Sequence, residues 1–102
     1  MPRTQRRPRV RYDALVEIHW ASATFEARVF DISPEGLFLE VSAPFWVEAT
    51  FSANLMIQPP LRMNCTVRRI VPNRGIGVQV TFTNSEASKR FAELVEKLYR
   101  AL

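Results

Sequence analysis

Five arginines and no acid stand between Arg3 and Arg11, and about twenty residues later comes the hexad Asp31-Ile32-Ser33-Pro34-Glu35-Gly36. Guanidinium groups are planar forks that meet phosphate oxygens or the acceptor edge of a base with two parallel donors. The hexad adds a carboxylate, a hydroxyl and a glycine. These residue types suit the capture of a compact phosphorylated anion. Bond-making chemistry has no comparable set: the chain holds one His and one Cys, with no nucleophile–base pair or paired acid at catalytic spacing. No catalytic residue, metal site or cofactor is assigned, and the usual metal-ligand sets are missing from the sequence. His19 reads as a surface strand residue and Cys65 as a buried strand cysteine.

The basicity is local. Net charge is +4, but beyond the first eleven residues nine basic residues face ten acidic ones, leaving −1. A near-neutral body argues against a nucleic-acid partner, because binding along a phosphate backbone needs cations spread over a face. At 102 residues, 47% hydrophobic and 24% charged, one globular domain is expected, since smaller pieces would not bury a self-sufficient core. No run approaches the roughly 20 apolar residues of a membrane helix, and no apolar segment follows the arginines, so a cytoplasmic chain without membrane insertion is expected.

The elements that must position these groups are mostly strands. Tyr12, Ala14, Val16, Ile18 and Trp20 alternate with polar residues, and Phe25 to Ile32 form a second strand that delivers Asp31 to a loop. Leu37 to Val41 give a third strand, ended by Pro44. Thr50 to Ile57 and Leu61 to Val71 are separated by Pro59-Pro60, and Ile76 to Phe82 alternate after the turn Pro72-Asn73-Arg74-Gly75. Six short strands suggest a small barrel, whose closure removes exposed edges. Phe91, Leu94, Val95, Leu98 and Leu102 then fall at helical spacing, with Thr83, Asn84 or Ser85 as cap. Phe45 and Trp46 are expected in the core. Arg68 and Arg69, adjacent on a strand, are expected on opposite faces.

Asp31-x-Ser33-x-x-Gly36, followed by Leu37-Phe38-Leu39, resembles the D/N-x-S-x-x-G signature of the PilZ domain family, and the arginine segment resembles its R-x-x-x-R element. The likeness extends over nearly the whole chain, including the run Gly75-Ile76-Gly77-Val78-Gln79-Val80 and the terminal helix. It implies a mostly β fold, a six-stranded antiparallel barrel with a C-terminal α-helix. The divisions are a ligand-binding arm over 1–11 and a barrel domain over 12–102 with its helix at 84–102. It also implies cyclic di-GMP as ligand, a bacterial signalling role in motility or biofilm control, and a protein partner that reads the bound state.

The carry-over places ligand contacts on Arg7 and Arg11, with Arg6 beside them, and on Asp31, Ser33 and Gly36. R-x-x-x-R is met by Arg7 with Arg11 and also by Arg3 with Arg7. The alternative register takes Arg9 of Pro8-Arg9-Val10 as the second arginine, which puts Gln5 where the first would stand. Gln5 also motivates the alternative function, a degenerate PilZ-like adaptor that binds a protein and no nucleotide.

Overall fold

The computed structural model describes residues 8–102. Arg3, Gln5, Arg6 and Arg7 lie outside that range. Six strands run β1 Val10–Trp20, β2 Ala23–Ile32, β3 Gly36–Glu40, β4 Thr50–Leu55, β5 Leu61–Val71 and β6 Gly75–Thr81, followed by helix α1, Ser85–Arg100. All pairings are antiparallel, in the closed order β1-β2-β3-β6-β5-β4. The expected six-stranded barrel with its terminal helix is the observed fold. Closure through the β1–β4 pairing leaves β1 without an edge.

Alternation builds the core. Val16, Ile18, Val29, Leu37, Leu39 and Met63 are among the side chains pointing into the barrel, and each is shut off from solvent. Burial of each such side chain is worth about 1.5 to 3 kcal/mol. Strand β1 starts two residues earlier than its alternation suggested, because Val10 pairs with Ile32 and is itself buried. Phe45 enters the core as expected, but Trp46 does not. It is 59% exposed, its ring 5.4 Å from that of Trp20.

The β1–β2 register shifts between Arg11 and Ala14, and two further bulges interrupt the alternation on the outer surface. The β2–β3 register shifts between Val29 and Asp31, and the β5–β6 register between Val67 and Arg69. Each inserts one residue, Phe30 or Arg68, and turns the side chain that follows. Arg68 and Arg69 therefore share the outer face, contrary to the strict alternation expected of them.

Helix α1 is capped by Asn84, whose Oδ1 accepts from the Ala87 amide at 2.8 Å; of the cap residues the sequence allowed, this one acts. Phe91 and Val95 face the barrel, Phe91 against Phe82. Arg90 donates to the Pro59 and Pro60 carbonyls and ties the helix to the β4–β5 loop. No helix among the described residues is long and apolar enough to cross a membrane.

Candidate functional site

The hexad is a tight connection between β2 and β3. Ser33 N donates to Gly36 O at 2.9 Å and Gly36 N returns a bond to Ser33 O at 3.3 Å, leaving Pro34 and Glu35 at the tip. Proline at that point fixes its own φ and brings no backbone donor that needs a partner. Ser33 is wholly buried. Its hydroxyl donates to Glu35 Oε1 at 3.4 Å and accepts from Arg9 Nη1 at 3.4 Å.

Among the described residues, Arg9 is the arginine that reaches the hexad. Its Nε donates to Asp31 Oδ1 at 2.7 Å, so one guanidinium bridges the carboxylate and the serine. Arg11 takes a different place: its Nε donates to Phe30 O at 3.3 Å and its guanidinium lies over the Phe30 ring, 4.3 Å from the centroid. The β2 bulge leaves Phe30 out of the ladder, and Arg11 supplies a donor to its carbonyl. The structure thus brings Arg9, Asp31 and Ser33 together and sets Arg11 beside them; Arg6 and Arg7 fall outside the described residues.

Across the sheet one register row joins Arg11, Asp31, Phe38, Gly77 and Arg69, contributed by β1, β2, β3, β6 and β5. The bulges give this row its chemistry, since they set Asp31 and Arg69 on the outer face with Phe38 between them. Arg69 lies 5.7 Å from the Phe38 ring centroid, within cation–π reach. Gly77 leaves room beside it: a Cβ there would meet Arg69 Cγ at 3.3 Å. A shallow groove of about 540 Å³ results, lined by Arg9, Glu35, Gly36, Phe38, Arg68, Arg69 and Gln79 among others.

Charge distinguishes this groove. Arg68 is engaged by Glu48 at 2.7 Å and Gln79 at 2.8 Å. Arg69 and Arg11 have no carboxylate within ion-pair distance among the described residues. A larger cavity of about 850 Å³ lies by the β5–β6 turn, but Glu26 and Glu40 line it beside Arg74. For an anion the smaller, arginine-lined groove is the better receptor.

Gly36 has a different reason from a ligand's close approach. A Cβ built on it would stand 1.9 Å from the Val78 carbonyl oxygen, so the glycine is required by the pairing of β3 with β6. Arg69 and Phe38 are the site residues that sequence reasoning did not assign. Their signal, a bulge that turns Arg69 outward, is not written in any residue type.

The family model described as the PilZ domain matches residues 3–99. No curated protein matches the chain. Among solved structures, the complex of K. pneumonia MrkH with c-di-GMP superposes with a TM-score of 0.79 at 17% identity, covering 98% of this chain and 54% of that one. MrkH in its apo state gives 0.80 at 18% identity, covering 98% and 51%. The PilZ domain of CeSA from a cellulose-synthesizing bacterium gives 0.68 at 21% identity, covering 90% of this chain and 98% of that one. The chain spans about half the length of MrkH.

Proposed function

The chain belongs to the PilZ domain family, and from that membership we propose that it is a receptor module for cyclic di-GMP with no catalytic task, acting in the bacterial cytoplasm. The observation that carries this reading is the Arg9 guanidinium held on Asp31 and Ser33 at the rim of a groove whose other side offers the uncompensated Arg69. Similarity to the fold of MrkH, solved with c-di-GMP, supports the choice of ligand.

The chemistry is complementary group by group. The ligand carries two singly charged phosphodiesters, and each guanine shows an O6/N7 acceptor pair that an arginine fork meets with two donors. Arg9 and Arg69 supply forks from opposite sides of the groove, and Arg11, Arg7 and Arg6 extend the supply along the arm. Asp31 orients Arg9 and accepts from guanine N–H groups. Ser33, being buried, acts through Arg9. The Phe38 ring and the bare Gly77 position provide a floor that a planar base can approach.

Ligand binding would order the arm ahead of the anchored Arg9 across the barrel surface and change the face offered to a protein partner. Control of motility or biofilm would be that partner's output. The competing adaptor reading, motivated by Gln5, keeps the partner and discards the nucleotide. Displacement of a fluorescent cyclic di-GMP by unlabelled cyclic di-GMP, GTP and a short RNA, at two salt concentrations, tests the reading. A receptor discriminates strongly for cyclic di-GMP at both; equal displacement by RNA with steep salt dependence overturns it.

A further inference from the structure

One contact joins the two ends of the chain. The Tyr99 hydroxyl, in the last turn of α1, donates to the carbonyl of Pro8 at 2.6 Å across a separation of 91 residues. Pro8 immediately precedes Arg9. The carbonyl of Pro8 and the amide of Arg9 lie in a single planar peptide unit, so a bond to that oxygen sets the plane from which Arg9 departs. The ring of Pro8 fixes its own φ, and Val10 on the other side is buried where β1 begins. Arg9 is thus anchored by Val10, by Asp31 and Ser33, and by Tyr99 through Pro8.

Tyr99 also faces a groove shared with the other half of the site. It lines a groove between α1 and the barrel that has Pro34, the tip of the hexad, among its lining residues. The end of the helix therefore meets the arm through a hydrogen bond and shares a groove with the hexad loop. Among the described residues nothing else in the last turn bonds to the arm: Arg100 pairs within the helix to Glu96 at 3.7 Å.

We propose that Tyr99 is a positioning residue for the ligand site, a latch by which α1 holds Pro8 and so presents Arg9 over the hexad before ligand arrives. The latch rests on the receptor reading for its purpose, but its geometry is independent of any ligand. Pre-set in this way, Arg9 loses less freedom on binding, and the same bond makes the end of α1 sensitive to movement of the arm. The element that a partner reads is then the last turn of the helix as well as the arm.

Tyr99→Phe removes the hydroxyl and keeps the ring. Trypsin cuts the Arg9–Val10 bond only when the guanidinium leaves Asp31 and enters the protease, so that cleavage reads release of Arg9. In the intact chain without nucleotide, Tyr99→Phe should raise cleavage at Arg9 about two- to tenfold, the range for loss of one hydrogen bond, with cleavage at barrel arginines and the melting temperature unchanged. Cyclic di-GMP affinity should fall by a similar factor, and by nothing further in an Arg9→Ala background, because the latch acts through Arg9. Cleavage at Arg9 at the wild-type rate overturns the latch whether or not nucleotide binds. So does a rise at all sites in step with a lowered melting temperature. Absence of nucleotide binding in the unmodified chain overturns the receptor reading instead, and the cleavage comparison stands apart from it.

Discussion

Arg9 and Asp31 form a 2.7 Å ion pair from the first residue before β1 to the end of β2, and this pair assembles the two separated motifs into one surface. Their side chains are 38% and 18% exposed, so solvent screens the attraction and its worth to stability is at most about 1 kcal/mol. Its value is orientational. A guanidinium fixed on one carboxylate keeps other N–H groups free for an anion.

Removal of either partner should therefore separate binding from folding. Asp31→Ala and Arg9→Ala are each expected to weaken cyclic di-GMP binding by about ten- to a hundredfold or more, corresponding to about 1.5 to 3 kcal/mol, while the denaturation midpoint moves little. Arg11→Ala, which loses a contact to Phe30 and not to the hexad, should weaken binding less. Calorimetry on the three variants ranks them, and a larger loss for Arg11 than for Arg9 would favour the Arg7–Arg11 register.

Gly36 and Gly77 should respond in opposite ways. Gly36→Ala places a carbon 1.9 Å from a backbone oxygen of β6, which cannot yield without parting the strands. A loss of about 1 to 3 kcal/mol or more in urea denaturation is expected. Gly77→Ala meets the flexible Arg69 side chain at 3.3 and 3.4 Å. Stability should change by less than about 1 kcal/mol, yet nucleotide affinity should drop because Arg69 is pushed from its place.

Arg69 and Arg68 test the bulge. Arg68 is already paired with Glu48 and Gln79, whereas Arg69 lies by the Phe38 ring and Gly77 with no ion-pair partner among the described residues. Arg69→Ala should therefore cost more in affinity than Arg68→Ala in the same titration. Equal effects would mean that the ligand breaks the Arg68–Glu48 pair.

Burial pushes the Cys65 thiol up to about 12. A thiolate is the reactive form, so a disulfide reagent at pH 8 should modify Cys65 in the native chain only at the rate of unfolding, and at once in denaturant. The unfolded thiol ionises near its ordinary value of 9.0 and the folded one does not. Its contribution to stability is complete below pH 9 and is lost as pH rises from there toward 12, so alkaline titration of the melting temperature should fall across that window.

Much of the fold was legible because side-chain period survives in sequence: alternation marked the six strands, Pro59-Pro60 the break between β4 and β5, and helical spacing the stripe of Phe91 and Val95. The hexad was legible only in company: Asp, Ser and Gly are common turn residues at any strand end, and their occurrence together with the arginine segment singled them out. The bulges at Phe30 and Arg68 were not. They shift a register by one residue through backbone hydrogen bonding, and neither position carries a glycine or proline to announce it, so Arg69 was expected on the wrong face relative to Arg68. Gly36 was visible as a glycine, but the oxygen that requires it belongs to Val78, some forty residues away. Tyr99 gave no signal, because its partner is a carbonyl at the other end of the chain. Which arginine meets Asp31 was open in a segment with five of them, and placement of Val10 in the barrel brings Arg9 to it.

The most direct measurement is calorimetric titration of the intact chain with cyclic di-GMP, run beside the Arg9→Ala/Asp31→Ala double variant. Micromolar or tighter binding by the unmodified chain, with loss in the variant while its melting temperature holds, is the expected result. No heat of binding from the unmodified, folded chain would contradict the receptor assignment.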